Sequence, residues 1–403
     1  MNPLFIPPLY KQRYQFVVDF VKRHKPKKVV DLGCADCSLL RKLKFHRNIE
    51  LLVGVDLDNS VMKQKMYTLA PFPCEYLKPA DQPLTIELYH GSVTEKESRT
   101  KCFDLVTCIE LIEHLLLADV ERFSEVLFGY MLPNAVIVST PNADFNPLLP
   151  GCPAFRHIDH KFEWTKADFQ NWALEVCRLY GYVVEFTGVG KAPSNEESIG
   201  FCSQIGVFHK DPYRSGTFVR SESMENTSSH TLLYHVVYPS LCDNNIFQRT
   251  LVNEVLYEAE RIKSKWLGVS GEEQAGLRVS DADFPNGCQE QGISQELYLQ
   301  GGAVCVPLAR VLSFPSVRRL CGSLQELQDS LQGDSRVVLT GDALALVLAA
   351  EEEEEAASDE EWDEYEGPAC SETVKCAADC TEDWDAELSC PCEISRGDQN
   401  GAF

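Results

Sequence analysis

The chain has 403 residues and a formal net charge of −24, from 37 Lys and Arg against 61 Asp and Glu; the length suits two to three average domains. Residues 1–210 hold 24 basic and 25 acidic side chains and residues 211–403 hold the other 13 and 36, so whole-chain acidity does not exclude a nucleic-acid substrate for the first half. No apolar run reaches the ~18–20 residues of a membrane span, no signal peptide is expected in MNPLFIPPLYKQRYQF, and 17 Cys in no framework spacing read as reduced thiols of an intracellular protein.

The first 210 residues alternate strand and helix patterns. Short runs rich in β-branched residues are expected to form strands at 27–34, 51–57, 84–91, 103–110 and 135–142. Helical patterns lie between several of them, at 37–46, 119–132 and 165–180; in the second, Val120, Phe123, Val126, Leu127 and Tyr130 recur at helical spacing. Such alternation predicts a mostly parallel sheet with helices on both faces. Two further runs, 182–190 and 203–210, leave too little room for a crossover helix and suit an antiparallel pair closing one edge.

The first strand ends in Val30-Asp31-Leu32-Gly33-Cys34-Ala35-Asp36-Cys37, a sharp turn where small residues let backbone approach a ligand. It lacks three spaced glycines and a following Gly-Lys-Ser/Thr, so it is neither a dinucleotide fingerprint nor a P-loop. An acidic residue before the turn, joined to Asp56 ending the next strand, is the pattern of S-adenosylmethionine-dependent methyltransferases. Asp56 would accept hydrogen bonds from the ribose hydroxyls, Asp31, Gly33 and Cys34 would form the turn, and Gly91-Ser92 after the third strand would hold the adenine edge.

After the fourth strand come Glu110, Glu113 and His114. On a helical turn these positions share one face, at the carboxyl end of a central strand. Two neighbouring carboxylates repel unless neutralised, which points to a divalent cation, although taken alone a solvated acidic helix start explains them as well. A second cluster after the fifth strand, FRHIDHKFEWTKADF (155–169), shifts the balance: two His, an Arg and an Asp within five residues are hard to account for as ordinary loop. Thr165 and Asp168 predict a capping box for the helix that follows.

These stretches resemble the small-RNA 3′-terminal 2′-O-methyltransferases, the HEN family, which includes the animal methyltransferase of piRNAs. The resemblance rests on ExxEH joined to FRHxDHKFEWT, with further similarity in 5–17, 138–146 and 185–208, and spans roughly 5–210. It implies a Rossmann-like class I methyltransferase with a mostly parallel seven-stranded α/β sheet. It also implies Mg²⁺ or Mn²⁺ on Glu110, Glu113, His114 and one loop histidine, His160 or alternatively His157. The remaining histidine would act as base or orienting group. Four such ligands and two vicinal hydroxyls complete an octahedron, and the imidazoles favour Mn²⁺. The implied substrate is a small single-stranded RNA with free 2′- and 3′-hydroxyls, carried by PIWI- or Argonaute-class proteins, in the cytoplasm and germ-cell RNA granules; a monomer without membrane contact is expected. A metal-dependent small-molecule O-methyltransferase and an inactive scaffold are the alternatives. Phosphate contacts are expected from Arg156 and Lys161, or from KRHKPKK (22–28) with Lys11 and Arg13.

After Lys210 the pattern weakens. A catalytic domain is expected over 1–210, a linker over 211–230, a small strand-helix appendage over 231–267, and a mostly disordered acidic tail over 268–403 with a short helix near 316–332. The tail includes 11 acidic residues among the 16 of 351–366, a self-repelling block. Cys370, Cys376, Cys380, Cys390 and Cys392 fit no zinc module.

Overall fold

The computed structural model describes residues 5–149, 155–192, 198–213, 228–270 and 296–349. They divide into two compact units. The acidic block 351–366 and the tail cysteines lie outside the described residues.

The first unit, within 5–72 and 82–238, is built on β1 (Lys28–Leu32), β2 (Leu51–Asp56), β3 (Thr85–His90), β4 (Leu105–Ile109), β5 (Ala135–Pro141), β6 (Tyr182–Lys191), β7 (Phe201–Lys210) and β8 (Thr231–Val237). Their order is β6-β7-β5-β4-β1-β2-β3-β8. The pairs among β1 to β5 are parallel, and β7 runs antiparallel to both β5 and β6. The chain thus adopts the mostly parallel, Rossmann-like α/β sheet expected of it, with the antiparallel β6–β7 edge. Successive strand residues point to opposite faces. Val30, Val53 and Val106 join Phe123, Phe128 and Phe169 on one side. Val29, Leu52 and Leu105 join Val17, Leu40 and Leu43 on the other. Burial on both faces explains why these strands read as unbroken apolar runs.

Two expectations need correction. The sheet has eight strands rather than seven, and the segment that looked like an appendage supplies the eighth: β8 pairs antiparallel with β3, Ile86 opposite Val236 and Glu87 opposite His235. The unit therefore continues past Lys210 to Tyr238, whose hydroxyl donates to the carbonyl of Leu69 at 2.5 Å.

The second correction concerns the tail. Residues 73–81 and 239–349 form a unit with its own core. Its sheet is antiparallel, in the order β11 (Ala345–Ala349), β10 (Ala303–Pro307), β9 (Tyr298–Gln300). The long helix Asn244–Ser270 presents Leu251, Val255, Ala259 and Ile262, one helical stripe. These pack in one cluster with Val304, Val306, Leu308, Val317, Leu327 and Leu346. The expected short helix near 316–332 is two, Pro315–Leu320 and Leu324–Leu331. No helix among the described residues is long and apolar enough to cross a membrane.

Candidate active site

The parallel strands bring their carboxyl ends, and the loops that follow, to one edge of the sheet, where open α/β sheets hold ligands. After β1, Gly33 adopts φ +76° and a Cβ there would lie 2.8 Å from Leu111 Cδ1. Ala35 (φ 41°) and Cys37 (φ 63°) are also left-handed, strain that persists only when the surroundings impose it. The Ala35 N–H donates to Asp56 Oδ2 and the Asp58 N–H to Oδ1, both at 2.8 Å. Each oxygen thus keeps acceptor capacity, and the half-buried carboxylate stands at the end of β2. Asp31 is buried and accepts from Thr107 Oγ1 at 2.6 Å. Burial pushes its carboxyl up to about 7 against that hydrogen bond, with Asp56 and Asp36 adding repulsion. A tight left-handed turn, a carboxylate at the next strand end and a buried acid beside them fit a nucleoside cofactor carrying positive charge.

The Cys34 side chain is buried. Its Sγ lies 3.7 Å from Met62 Sδ within the core, and its N–H donates to the Val55 carbonyl. Ser92 follows β3, its hydroxyl 2.8 Å from that of Thr94. The Gly91 N–H donates to the Asp56 carbonyl at 3.0 Å, so the two turns of the cradle are joined.

The ExxEH stretch does not form the expected helical face. Glu110 is left-handed (φ 52°), and a 3₁₀ turn covers only Ile112–His114. The reason is that the Glu110 N–H still follows the sheet, donating to Ser139, so the carboxyl turns toward β5 and β7. Its Oε1 accepts from the hydroxyls of Ser139 and Ser203 at 2.8 Å each, and Oε2 faces Arg13 Nη1 at 3.5 Å. Glu113 is fully buried. Its Oε2 accepts from Thr140 Oγ1 at 3.0 Å, while Oε1 is buried with no hydrogen-bond partner. Burial, then the Glu110 charge, hold this carboxyl well above the usual range. A cation held beside it would favour the ionised form.

The imidazoles stand beside these acids. Ligand atoms of His114, His157 and His160 all lie within 4.8 Å of one another, a grouping that includes neither glutamate. The His114 pair with His160 is closest, ring centres 5.0 Å apart. Burial, together with the other two imidazoles, lowers the His114 pKa to about 4, so this ring is neutral and able to ligate at neutral pH. His160 Nδ1 meets Glu163 Oε1 at 2.6 Å, which fixes Nδ1 as the protonated nitrogen and leaves Nε2 as the lone-pair donor. His157 differs: its Nδ1 accepts the Asp159 N–H at 3.2 Å, so the neutral ring carries its proton on Nε2. Three clustered imidazoles fit a divalent cation, and Glu113, next to His114 in the chain, holds a buried carboxylate oxygen with no hydrogen-bond partner.

Several site residues have partners that their motifs do not reveal. Glu163 accepts from His160, the Arg156 N–H and Asn146; its burial raises the carboxyl pKa, but these bonds outweigh that and lower it. Arg156 is corrected from its expected role at RNA. Its guanidinium donates to Asn146 Oδ1, the Cys202 carbonyl and the Asn142 carbonyl, so it closes the loop internally. The Lys161 N–H donates to the Glu113 carbonyl at 2.8 Å, with its side chain exposed. Arg13 is buried against Glu110 rather than aimed at phosphates. The polar signal for Ser139, Thr140 and Ser203 was present in the sequence as hydroxyls interrupting apolar strands. Thr165 and Asp168 form the expected capping box, which sets the exit of the histidine loop.

The chain is similar to known proteins in both of its units. Residues 245–350 match the family model of the HENMT1 C-terminal domain. The chain is 44% identical over 355 residues to a small RNA 2′-O-methyltransferase of Xenopus tropicalis, covering 84% of this chain and 96% of that protein. It is 44% identical over 360 residues to one of Gallus gallus, covering 86% and 95%. Among solved structures, the methyltransferase domain of bacterial CtHen1-C is 35% identical, covering 50% of this chain and 99% of its own, with a TM-score of 0.42.

Proposed function

Since this chain belongs to the small RNA 2′-O-methyltransferase family, we propose that it transfers the methyl group of S-adenosylmethionine to the 2′-hydroxyl of the 3′-terminal nucleotide of a small single-stranded RNA, with Mg²⁺ or Mn²⁺ at the histidine cluster. The observation that carries the reading is the convergence of His114, His157 and His160, whose ligand atoms all lie within 4.8 Å of one another. A ribose hydroxyl is a poor nucleophile at neutral pH, and a divalent cation held there supplies the Lewis acidity that lowers its pKa.

The chain's own residues do the rest. His114 and His160 Nε2 are the imidazole donors, His160 being held by Glu163. Glu113 offers its unpartnered oxygen, and Glu110 offers Oε2, because Oε1 is bonded to Ser139 and Ser203. His157, with its proton on Nε2, orients the ribose as a donor in that state and receives the 2′-hydroxyl proton once its ring has turned or changed tautomer. Asp56 and the Gly91–Ser92 turn orient the cofactor's ribose and adenine. Only a terminal nucleotide has vicinal 2′- and 3′-hydroxyls, so recognition by a site that binds both selects the 3′ end without reading sequence. The proposal extends to piRNAs presented by PIWI-class proteins in the cytoplasm and germ-cell granules, to a monomeric enzyme, and to Mn²⁺ as the better fit for an imidazole-rich site.

The test is labelled S-adenosylmethionine with a 3′-hydroxyl small RNA, beside 3′-phosphate and 2′-deoxy controls, with and without chelator. Methylation of the hydroxyl RNA alone, lost on chelation, is the expected result. Equal labelling of the 3′-phosphate RNA would refute selection by vicinal hydroxyls. His160→Ala is expected to lower turnover by at least 100-fold with cofactor binding intact; unchanged turnover would refute its role as a ligand.

A further inference from the structure

The chain re-enters the described structure after 214–227 at the cofactor edge of the first unit. His230, immediately before β8, is 7% exposed. Its Nε2 lies 3.0 Å from the Ser92 carbonyl. Its backbone is held on both sides: the N–H donates to Glu97 Oε2 at 3.0 Å, and the carbonyl accepts from Arg99 Nη2 at 2.6 Å. Arg99 also grips Glu97 through Nε and Nη2, both at 2.8 Å. The imidazole fills the space over Gly91, where a Cβ would lie 2.0 Å from His230 Cδ2. Glycine at 91 therefore admits this ring to the turn.

We propose that His230 is a cofactor-positioning residue that holds the Gly91–Ser92 turn in the orientation required by the adenine edge. The inference rests on the reading of this edge as the S-adenosylmethionine site. Its physical basis is a continuous set of contacts. His230 Nε2–H donates to the Ser92 carbonyl, and the neighbouring Gly91 N–H donates to the Asp56 carbonyl. The turn is thereby tied at one end to the residue that faces the ribose and at the other to β8. A trans peptide sets its N–H antiparallel to its carbonyl. Holding the Ser92 carbonyl toward His230 therefore aims the Val93 N–H away from it. The Ser92 carbonyl also accepts the Glu95 N–H at 3.0 Å; without the imidazole that bond alone holds the peptide and the space over Gly91 opens, so the orientation is less firmly set when cofactor binds. The Glu97–Arg99 pair makes His230 a fixed strut, since it clamps the histidine backbone rather than its ring.

The experiment uses the full-length chain. Its S-adenosylhomocysteine affinity is measured by titration calorimetry for wild type, His230→Ala and His230→Gln, whose amide can also donate to the Ser92 carbonyl. His230→Ala is expected to weaken binding at least tenfold, with the glutamine variant within about threefold of wild type. The same tenfold change is expected in KM for S-adenosylmethionine, and not in kcat or in KM for RNA. A direct reading on the wild type is the ring ¹H–¹³C resonance of His230, expected to shift on saturation with S-adenosylhomocysteine; this remains decisive if the alanine variant does not fold. A folded His230→Ala chain with wild-type affinity overturns the inference, as does a His230 resonance insensitive to the ligand. A wild-type chain that does not bind S-adenosylhomocysteine overturns the cofactor assignment itself, and this inference with it.

Discussion

Glu113 is where the chemistry of this site is most exposed to test. Its raised pKa means that the folded, metal-free chain favours the protonated acid. Stability from this group is greatest below the unfolded carboxylate value of about 4.3 and falls as pH rises toward the folded value. Glu113→Gln removes that penalty and is expected to melt at or above wild type at pH 7.5 without metal. Wild type is expected to gain about 2.7 kcal/mol from Mn²⁺ at 100-fold its Kd, and the glutamine variant much less; equal gains in scanning calorimetry would remove Glu113 from the site. Asp31 has the same sign, with its folded value near 7, so its stabilising contribution is lost between about pH 4 and pH 7. A cationic cofactor beside it favours the carboxylate. Binding of S-adenosylmethionine, whose sulfonium carries that charge, is therefore expected to release a proton at pH 6.5, seen as a buffer-dependent calorimetric enthalpy, and Asp31→Asn is expected to abolish that dependence. Asp31, Gly33, Asp56, His114 and His160 were legible in the sequence because each stands in a short motif. The pairing of Glu163 with His160 lies within one motif, but the loop's backbone rather than its residue order sets it; Ser139 and Ser203 as partners of Glu110 were not legible, because those bonds cross 29 and 93 positions of chain that only the folded sheet brings together.

At the scale of elements, the seven strands read from apolar runs are all present; in the central ones burial on two faces leaves a signal in composition alone. Strand β8 was legible as a strand and not as a member of this sheet, because pairing partners are set by registry with β3 and carry no local mark. The fit of His230 against Gly91 gives this pairing a test of its own. Gly91→Ala is expected to displace β8 locally and lower stability by about 1–3 kcal/mol through overpacking. Combining it with His230→Ala creates room for the new methyl, so the double variant is expected to melt above Gly91→Ala alone. Additive losses in the melting series would show that the two residues do not share the space. The ExxEH turn carries a similar lesson: helical spacing suggested a common face, but the left-handed Glu110 sends its carboxyl toward β5 and β7 instead.

For the whole molecule, the charge partition between the halves marks neither the end of the first unit nor the end of packed structure. The first unit runs to Tyr238, and the second has a core of its own. Its elements are short, strands of three to five residues and helices of five to eight apart from the long helix, too brief for periodicity to stand out. Residues 351–403 hold 19 acidic and two basic side chains. Deleting them is expected to leave the melting of both units unchanged and to speed association with RNA at low ionic strength, the difference vanishing near 1 M salt, where the Debye length is about 3 Å. Stopped-flow association across a salt series checks this; rates equal at low salt would show that the acidic segment does not repel RNA. By itself, the sequence determined the parallel sheet, the cofactor turn and the identity of the histidines, because apolar burial and tight turns constrain neighbouring residues directly. The tertiary structure alone decided how Glu110 and Glu113 are held, which nitrogen of each loop histidine is engaged, that β8 completes the sheet, and that 239–349 contains a core. Each of those depends on contacts between distant segments, whose free energy appears only once the chain has closed the loops between them.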